Sequence, residues 1–213
     1  MATSVEVPQA PSVIPPSVTP PVAPVRLTVA LLSALVEGGA FPGDYQAELV
    51  HGQYIVSPRV KARHSVIARN VFLALHDHVR PRALGEVFHD GTCFALPHRD
   101  DTVRCPDVSF VAAGRLPETL VGNGWFAVAP DLVVEVRSPE ERRGTLSKKL
   151  DDYFTAGTPV AWVVDATRWG VEVHLRDRTS RWVPAEGTLD GGPVLPDFRL
   201  PVDAVLRGVA RPQ

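Results

Sequence analysis

Two carboxylates stand inside runs that are otherwise apolar. Asp107 follows Pro106 and opens Val108-Ser109-Phe110-Val111, and Glu135 interrupts Leu132-Val133-Val134 and Val136. A charge in such a run is costly to bury unless something pairs with it. Two of them on neighbouring strands suggest a shared partner, and a hard divalent cation is the simplest one. Lys149 is the third group. It lies three residues after Leu146 and four before Tyr153, so on a helix its ammonium occupies the apolar side, one turn from each. Two carboxylates can hold Mg2+, or Mn2+ in its place, through oxygens at about 2.0–2.1 Å, with water or phosphate oxygens in the other positions. Such an ion lowers the pKa of a bound water and stabilises charge developing on a phosphate. The amine would position or deprotonate the attacking water, or balance the transition state. Asp107, Glu135 and Lys149 thus form a coherent catalytic set, with Asp107 and Glu135 as the metal ligands.

The elements that must position this set can be read from periodicity. Thr28 can cap a helix with apolar positions at Leu31, Leu32, Leu35 and Val36, closed by Gly38-Gly39. Tyr45 to Val50 and Gln53 to Val56, separated by His51-Gly52, predict a hairpin with Glu48 alternating inward beside Val50. Ala62 to Val79 carries Ile67, Val71, Ala74, Leu75 and Val79 at helical spacing. Its start, with Arg59, Lys61, Arg63, His64 and Arg69, is the most basic local patch of the N-terminal half; Arg63 and His64 are candidates for a phosphate contact, against the plainer reading of a solvated helix end. Strand-like runs follow at 86–88, 93–96, 108–111 and 132–136. A helix marked by Leu146, Leu150, Tyr153 and Phe154 comes next, ended by Gly157. Val160 to Val164 is continuously apolar, as a central strand is, and 171–175 and 181–183 alternate like outer antiparallel strands. Strands with interspersed helices predict an α/β sandwich with a mixed sheet.

Composition sets wider bounds. The chain has 213 residues, enough for one sizeable core, and 45% hydrophobic and 22% charged residues are ordinary for a globular protein. A net charge of −2 gives no global basic field, which argues against a non-specific DNA binder but leaves room for a local basic groove. Prolines crowd residues 1–26, which predicts a disordered, polyproline-like arm, followed by a domain at 27–206 and a tail at 207–213. Met1 to Val7 lacks the form of a signal peptide, and no apolar stretch reaches ~18 residues, so no membrane association is expected. Cys93 and Cys105 match no zinc spacing and are too few for a disulfide framework. They are expected to be reduced, small apolar residues in a cytoplasmic protein.

Several blocks taken together resemble the Uma-type restriction endonuclease family of the PD-(D/E)-x-K nuclease superfamily. They are Glu48-Leu49-Val50-His51-Gly52, Arg104-Cys105-Pro106-Asp107-Val108-Ser109-Phe110-Val111, Pro130 to Pro139 around Glu135, and Lys149 to Gly157 running into Ala161-Trp162-Val163-Val164-Asp165. The terminal Leu195-Pro196-Asp197-Phe198-Arg199-Leu200 also fits. The resemblance spans Leu27 to Leu206. It implies a three-layer, restriction-endonuclease-like α/β core with a mixed central sheet, Mg2+-dependent hydrolysis of nucleic-acid phosphodiesters with DNA as substrate, and a homodimer. The family's metal carboxylates fall on Asp107 and Glu135, its displaced lysine on Lys149, and an acidic residue of the first hairpin on Glu48, a further ligand through water.

Two positions depart from the pattern. Arg137 stands two residues after Glu135, where the wider superfamily has lysine. Arginine stays protonated and cannot act as a base, so Arg137 either clamps a phosphate or pairs with Glu135. His51-Gly52-Gln53 replaces an Asp-Gly-Glu turn. Two rival functions use the same residues: a catalytically degenerate nuclease fold that binds nucleic acid or oligomerises, and a metal-dependent hydrolase of small phosphate esters. Asp131, Asp165 and His51 have the plain reading of turn residues, and Trp162, Trp169 and Trp182 that of packing.

Overall fold

The computed structural model describes residues 26–38, 46–57, 62–89, 91–116, 125–138 and 143–211. The proline-rich segment at 1–25, together with Arg59 and Lys61, lies outside the described residues. Helix α1 (Val29–Glu37) starts where the Thr28 hydroxyl accepts the Leu31 amide at 3.1 Å, which satisfies one of the amides a helix start leaves open. Strands β1 (Gln46–Val50) and β2 (Gln53–Ser57) form a hairpin. Its turn residues His51 and Gly52 have φ of +48° and +78°, the left-handed pair that a tight twisted hairpin requires. Helix α2 (Ala62–Val79) is followed by β3 (Gly85–His89), the short β4 (Phe94–Ala95) and β5 (Val103–Arg104), then β6 (Val108–Ala112) and β7 (Leu132–Val136). Helix α3 (Arg143–Ala156) leads to β8 (Val160–Asp165), β9 (Gly170–Leu175), β10 (Ser180–Pro184), β11 (Thr188–Gly191), β12 (Leu195–Pro201) and the single turn α4 (Val202–Val205).

The central sheet has six strands in the order β10-β9-β8-β7-β6-β3. Only β7 and β8 run parallel, and α3 is the crossover between them, so the sheet is mixed as the sequence predicts. On one face, Ile67, Val71, Leu75 and Val79 of α2 pack with Phe110, Val134 and Trp162. On the other, Leu150, Tyr153 and Phe154 of α3 pack with Val111, Val133, Ala161 and Val163. The result is a helix–sheet–helix sandwich in three layers. A second sheet, β2-β1-β5-β4, adjoins the α3 side, where Phe94 and Leu96 join the same apolar cluster. The hairpin β11–β12 closes the α2 side through Leu189, Leu195, Phe198 and Leu200. Among the described residues no helix is long and apolar enough to cross a membrane.

The cysteine expectation needs correction. Cys93 and Cys105 form a disulfide. The pairs Phe94↔Arg104 and Ala95↔Val103 join β4 and β5, so one step further the same register sets the two cysteines opposite each other. The bond closes a sequence separation of 12 residues. Cross-links over loops of this size stabilise by about 2–4 kcal/mol. Reduction, or replacement of both cysteines by serine, is therefore expected to lower the unfolding free energy by about that amount. Urea denaturation with and without reductant measures it.

Candidate active site

The register of β6 and β7 brings the two sequence-marked carboxylates together. Val108 pairs with Val134 and Ser109 with Val133. One step beyond, the same antiparallel register sets Asp107 opposite Glu135, and directly opposed side chains share a face at contact distance. Both residues are buried. Asp107 Oδ2 accepts the Val136 amide at 2.6 Å and lies 3.0 Å from His64 Nε2. Glu135 Oε1 accepts the Tyr153 hydroxyl at 2.8 Å, and Oε2 accepts Lys149 Nζ at 3.0 Å. Helix α3 supplies both donors because Lys149 and Tyr153 are four residues apart on one side of it. Lys149 Nζ also lies 3.5 Å from Glu48 Oε1.

The charges in this pocket are strongly biased. Burial raises the Glu135 carboxyl; Lys149 and the Tyr153 hydrogen bond oppose the rise, Asp107 and Glu48 add to it, and the net result is about 7. Burial alone would lower the Lys149 ammonium, but Glu135, Glu48 and Asp107 outweigh it and hold the group protonated well above its ordinary range. Burial and the nearby Glu135 and Glu48 also keep the Tyr153 phenol protonated, so it remains a donor. One ammonium is thus shared among several carboxylates, and negative charge is in surplus.

The raised Glu135 carboxyl has a stability consequence. The folded-state pKa of Glu135 is raised, so the folded chain keeps the proton that an unfolded chain releases near 4.5. The site therefore costs folding free energy progressively as pH rises from about 4.5 through about 7, and the cost is constant above that. Glu135→Gln removes this titration. The difference in Tm between the variant and the parent is expected to shift in the variant's favour from pH 5 to pH 8, as read by thermal denaturation across that range in metal-free buffer.

Glu48 is buried on β1. Its Oε2 accepts Arg104 Nη1 at 2.8 Å and its Oε1 accepts the Cys105 amide at 3.1 Å. Arg137, on the same side of β7 as Glu135 by alternation, turns instead to the neighbouring strand, where its Nη1 donates to Asp165 Oδ2 at 2.8 Å. Asp165 is the predicted turn residue too, accepting the Thr167 and Arg168 amides through Oδ1. Arg63 and His64 line a cavity of about 270 Å³ with Arg137 and Ser138, next to Asp107. His64 sits there as the partner of Asp107.

Sequence reasoning gave no role to Tyr153, Arg104 or Asp152, although Tyr153 touches Glu135, Arg104 touches Glu48, and Asp152 holds Arg104. Tyr153 served only as an apolar marker, yet its position four after Lys149 was the available signal for its contact with Glu135. Arg104 and Asp152 pair through Nη2 and Oδ2 at 2.6 Å; an arginine inside a strand and an aspartate in an apolar helical repeat were the signals for that pair.

Among the described residues no group of three or more His, Cys, Asp or Glu is arranged to hold a metal ion. The two opposed carboxylates still fit one. They offer hard oxygen donors from a rigid pair of strands, and burial raises the Glu135 carboxyl, with Asp107 and Glu48 adding to the rise, a cost that a bound cation would offset. Mg2+ commonly takes one or two protein carboxylates and fills the rest of its shell with water.

No curated protein matches the chain. Among solved structures, one titled "Crystal structure of a putative nuclease belonging to DUF820", from Anabaena variabilis ATCC 29413, aligns with a TM-score of 0.70. The alignment covers 81% of this chain and 96% of that one at 20% sequence identity, which shows a shared fold. Residues 33–203 match the family Uma2, described as "Putative restriction endonuclease". That match takes in both opposed carboxylates, Lys149 and most of the chain, and the protein belongs to the Uma2 family.

Proposed function

We propose that the protein is a divalent-metal-dependent endonuclease that hydrolyses phosphodiester bonds of DNA, acting as a homodimer so that each strand of a duplex meets one site. The observation that carries this reading is the register of β6 on β7, which opposes Asp107 and Glu135 and leaves Lys149 on Glu135. Asp107 and Glu135 would hold Mg2+, or Mn2+ in its place. The ion would supply an activated water and neutralise charge on the scissile phosphate. In the metal-free pocket Glu135, Glu48 and Asp107 hold Lys149 as an ammonium, and in that form it would orient the water or phosphate and offset developing negative charge. Tyr153 holds Glu135 in place. Arg63, beside the cavity, is available to the phosphate backbone.

A second reading has its own support. Both Glu135 oxygens already accept hydrogen bonds, which is what a silent, nuclease-fold nucleic-acid-binding or oligomerising protein would show. The two are separated by metal-free protein titrated with Mn2+ and then assayed for nicking of supercoiled plasmid, with and without reductant. An active enzyme binds Mn2+ and nicks, and Glu135→Ala loses both. If protein of verified metal content binds no Mn2+ and cleaves neither DNA nor RNA, the enzymatic reading is overturned. Cleavage of nucleotide esters but not of polymers would instead indicate a small-substrate hydrolase.

A further inference from the structure

We propose that Arg104 is a positioning residue of this site, acting on Lys149 through Glu48. The inference rests on the reading of Lys149 as a site residue. Arg104 ends β5 and is 3% exposed. A guanidinium so deep in the protein must be paired. Its Nη1 donates to Glu48 Oε2 at 2.8 Å, and its Nε and Nη2 donate to Asp152 Oδ2 at 3.0 and 2.6 Å. The backbone arranges this. Leu49 pairs with Val103, so the next step of that antiparallel register puts Glu48 directly across from Arg104. Asp152 arrives from α3, three residues after Lys149, on the same side of the helix.

The contacts close a ring. Arg104 grips α3 at Asp152 and grips Glu48 on β1, and Glu48 reaches back to α3 at Lys149, 3.5 Å from Nζ. Both Glu48 oxygens are thereby committed, Oε2 to Arg104 and Oε1 to the Cys105 amide and the Lys149 ammonium. In this arrangement Glu48 holds Lys149 through Oε1. A bridge whose only task was to fasten α3 to the second sheet would need Arg104 and Asp152 alone. Buried ionic clusters are also poor stabilisers beside well-packed apolar residues of the same volume. The arm through Glu48 has its use in where it ends, at the site amine. A guanidinium suits the task because its planar fork meets two carboxylates from two directions, which an ammonium does not.

The chain contains only three lysines, Lys61, Lys148 and Lys149, so the ammonium 15N–1H spectrum can be read directly. Lys149 is assigned as the water-protected signal that disappears in Lys149→Met. In Arg104→Lys, which keeps the charge, loses the fork and adds a fourth ammonium, the Lys149 signal, identified by its loss in Arg104→Lys/Lys149→Met, is expected to shift or broaden into exchange with water. Glu48→Gln is expected to do the same, and the Arg104→Lys/Glu48→Gln double variant to go no further than Glu48→Gln alone, the non-additivity of residues acting in series. In single-turnover cleavage, Arg104→Lys should slow the chemical step on the order of ten- to a hundredfold, with KM for DNA within about twofold of the parent. An unchanged Lys149 signal in Arg104→Lys beside a changed one in Glu48→Gln overturns the proposal, as do additive effects in the double variant. If Arg104→Lys does not fold, Asp152→Asn loosens the same guanidinium and leaves the Glu48 arm in place. It should shift the Lys149 signal in the same direction, and no shift overturns the proposal. The spectra need neither metal nor DNA, so the expected shifts without any cleavage would refute the nuclease reading and leave this one standing.

Discussion

Glu135→Ala and Asp107→Ala are each expected to abolish metal-dependent nicking, a loss on the order of 10²–10³-fold or more, while the protein stays folded. Each removes one of the two opposed carboxylates, so the ion loses half of its protein ligands. The fold is expected to survive because neither side chain is part of the apolar packing of either face. At Glu135 two opposing effects act. The truncation leaves the Tyr153 hydroxyl and the Lys149 ammonium without their shared acceptor, and each orphaned buried donor costs about 1–3 kcal/mol. It also removes a carboxylate that burial and its neighbours raise to about 7, a standing cost at neutral pH. Three measurements on one preparation settle the matter: near-UV circular dichroism for the fold, calorimetric Mn2+ titration for the ligand set, and plasmid nicking for the chemistry. A variant that nicks normally removes its residue from the site.

Lys149→Met should cost on the order of 10²–10³-fold in single-turnover rate, the scale of losing one preorganised charge at a reacting centre, and raising the pH should not restore it. In the metal-free protein the three carboxylates hold the ammonium protonated, so the parent's Lys149 signal should stay that of an ammonium through the alkaline range when no metal is bound. The acidic side is different. Glu135 must be ionised to bind a cation, and its carboxyl lies at about 7 in the metal-free protein. Mn2+ affinity, and cleavage at limiting Mn2+, should therefore fall as pH drops through about 7. Saturating metal should push that fall to lower pH by competing with the proton. A pH–rate series at two Mn2+ concentrations tests both statements, and a rate that climbs with lysine deprotonation would make Lys149 a base.

The legible parts of this molecule are those where one local rule acts alone. Helix α2 runs over Ala62–Val79, as its apolar spacing predicts, and the Thr28 cap and the His51-Gly52 turn follow from single-residue chemistry. The unbroken run of β8 marks a strand covered on both faces, with Trp162 buried against Phe198. The opacity begins where the arrangement depends on a partner far along the chain. Strand β5 is two residues long, too short to show a period. Strand β12 contains Pro196 and a left-handed Asp197, and its pairing with β11 slips at Asp190/Gly191, so its alternation is broken in the sequence.

The cysteines became a pair only because β4 and β5 bring them opposite, and their spacing does not carry that fact. At the site, charges inside apolar runs gave Asp107 and Glu135 away. Arg137 was open between phosphate and Glu135, and the choice fell to Asp165, an acceptor on the next strand. Arg104 lay in plain view within the most informative block, but its two partners come from β1 and α3, and no local rule joins them.

Helix α3 gives three grips to the site side, at Lys149, Asp152 and Tyr153, and rests on the sheet through Leu150 and Phe154 beside them. Its apolar underside is therefore the ruler against which the distances within the site are set. Shaving a methyl group from that underside would move all three grips at once by a fraction of an ångström. Such a change would therefore be felt at Glu135, Glu48 and Arg104 together, the partners of those three grips.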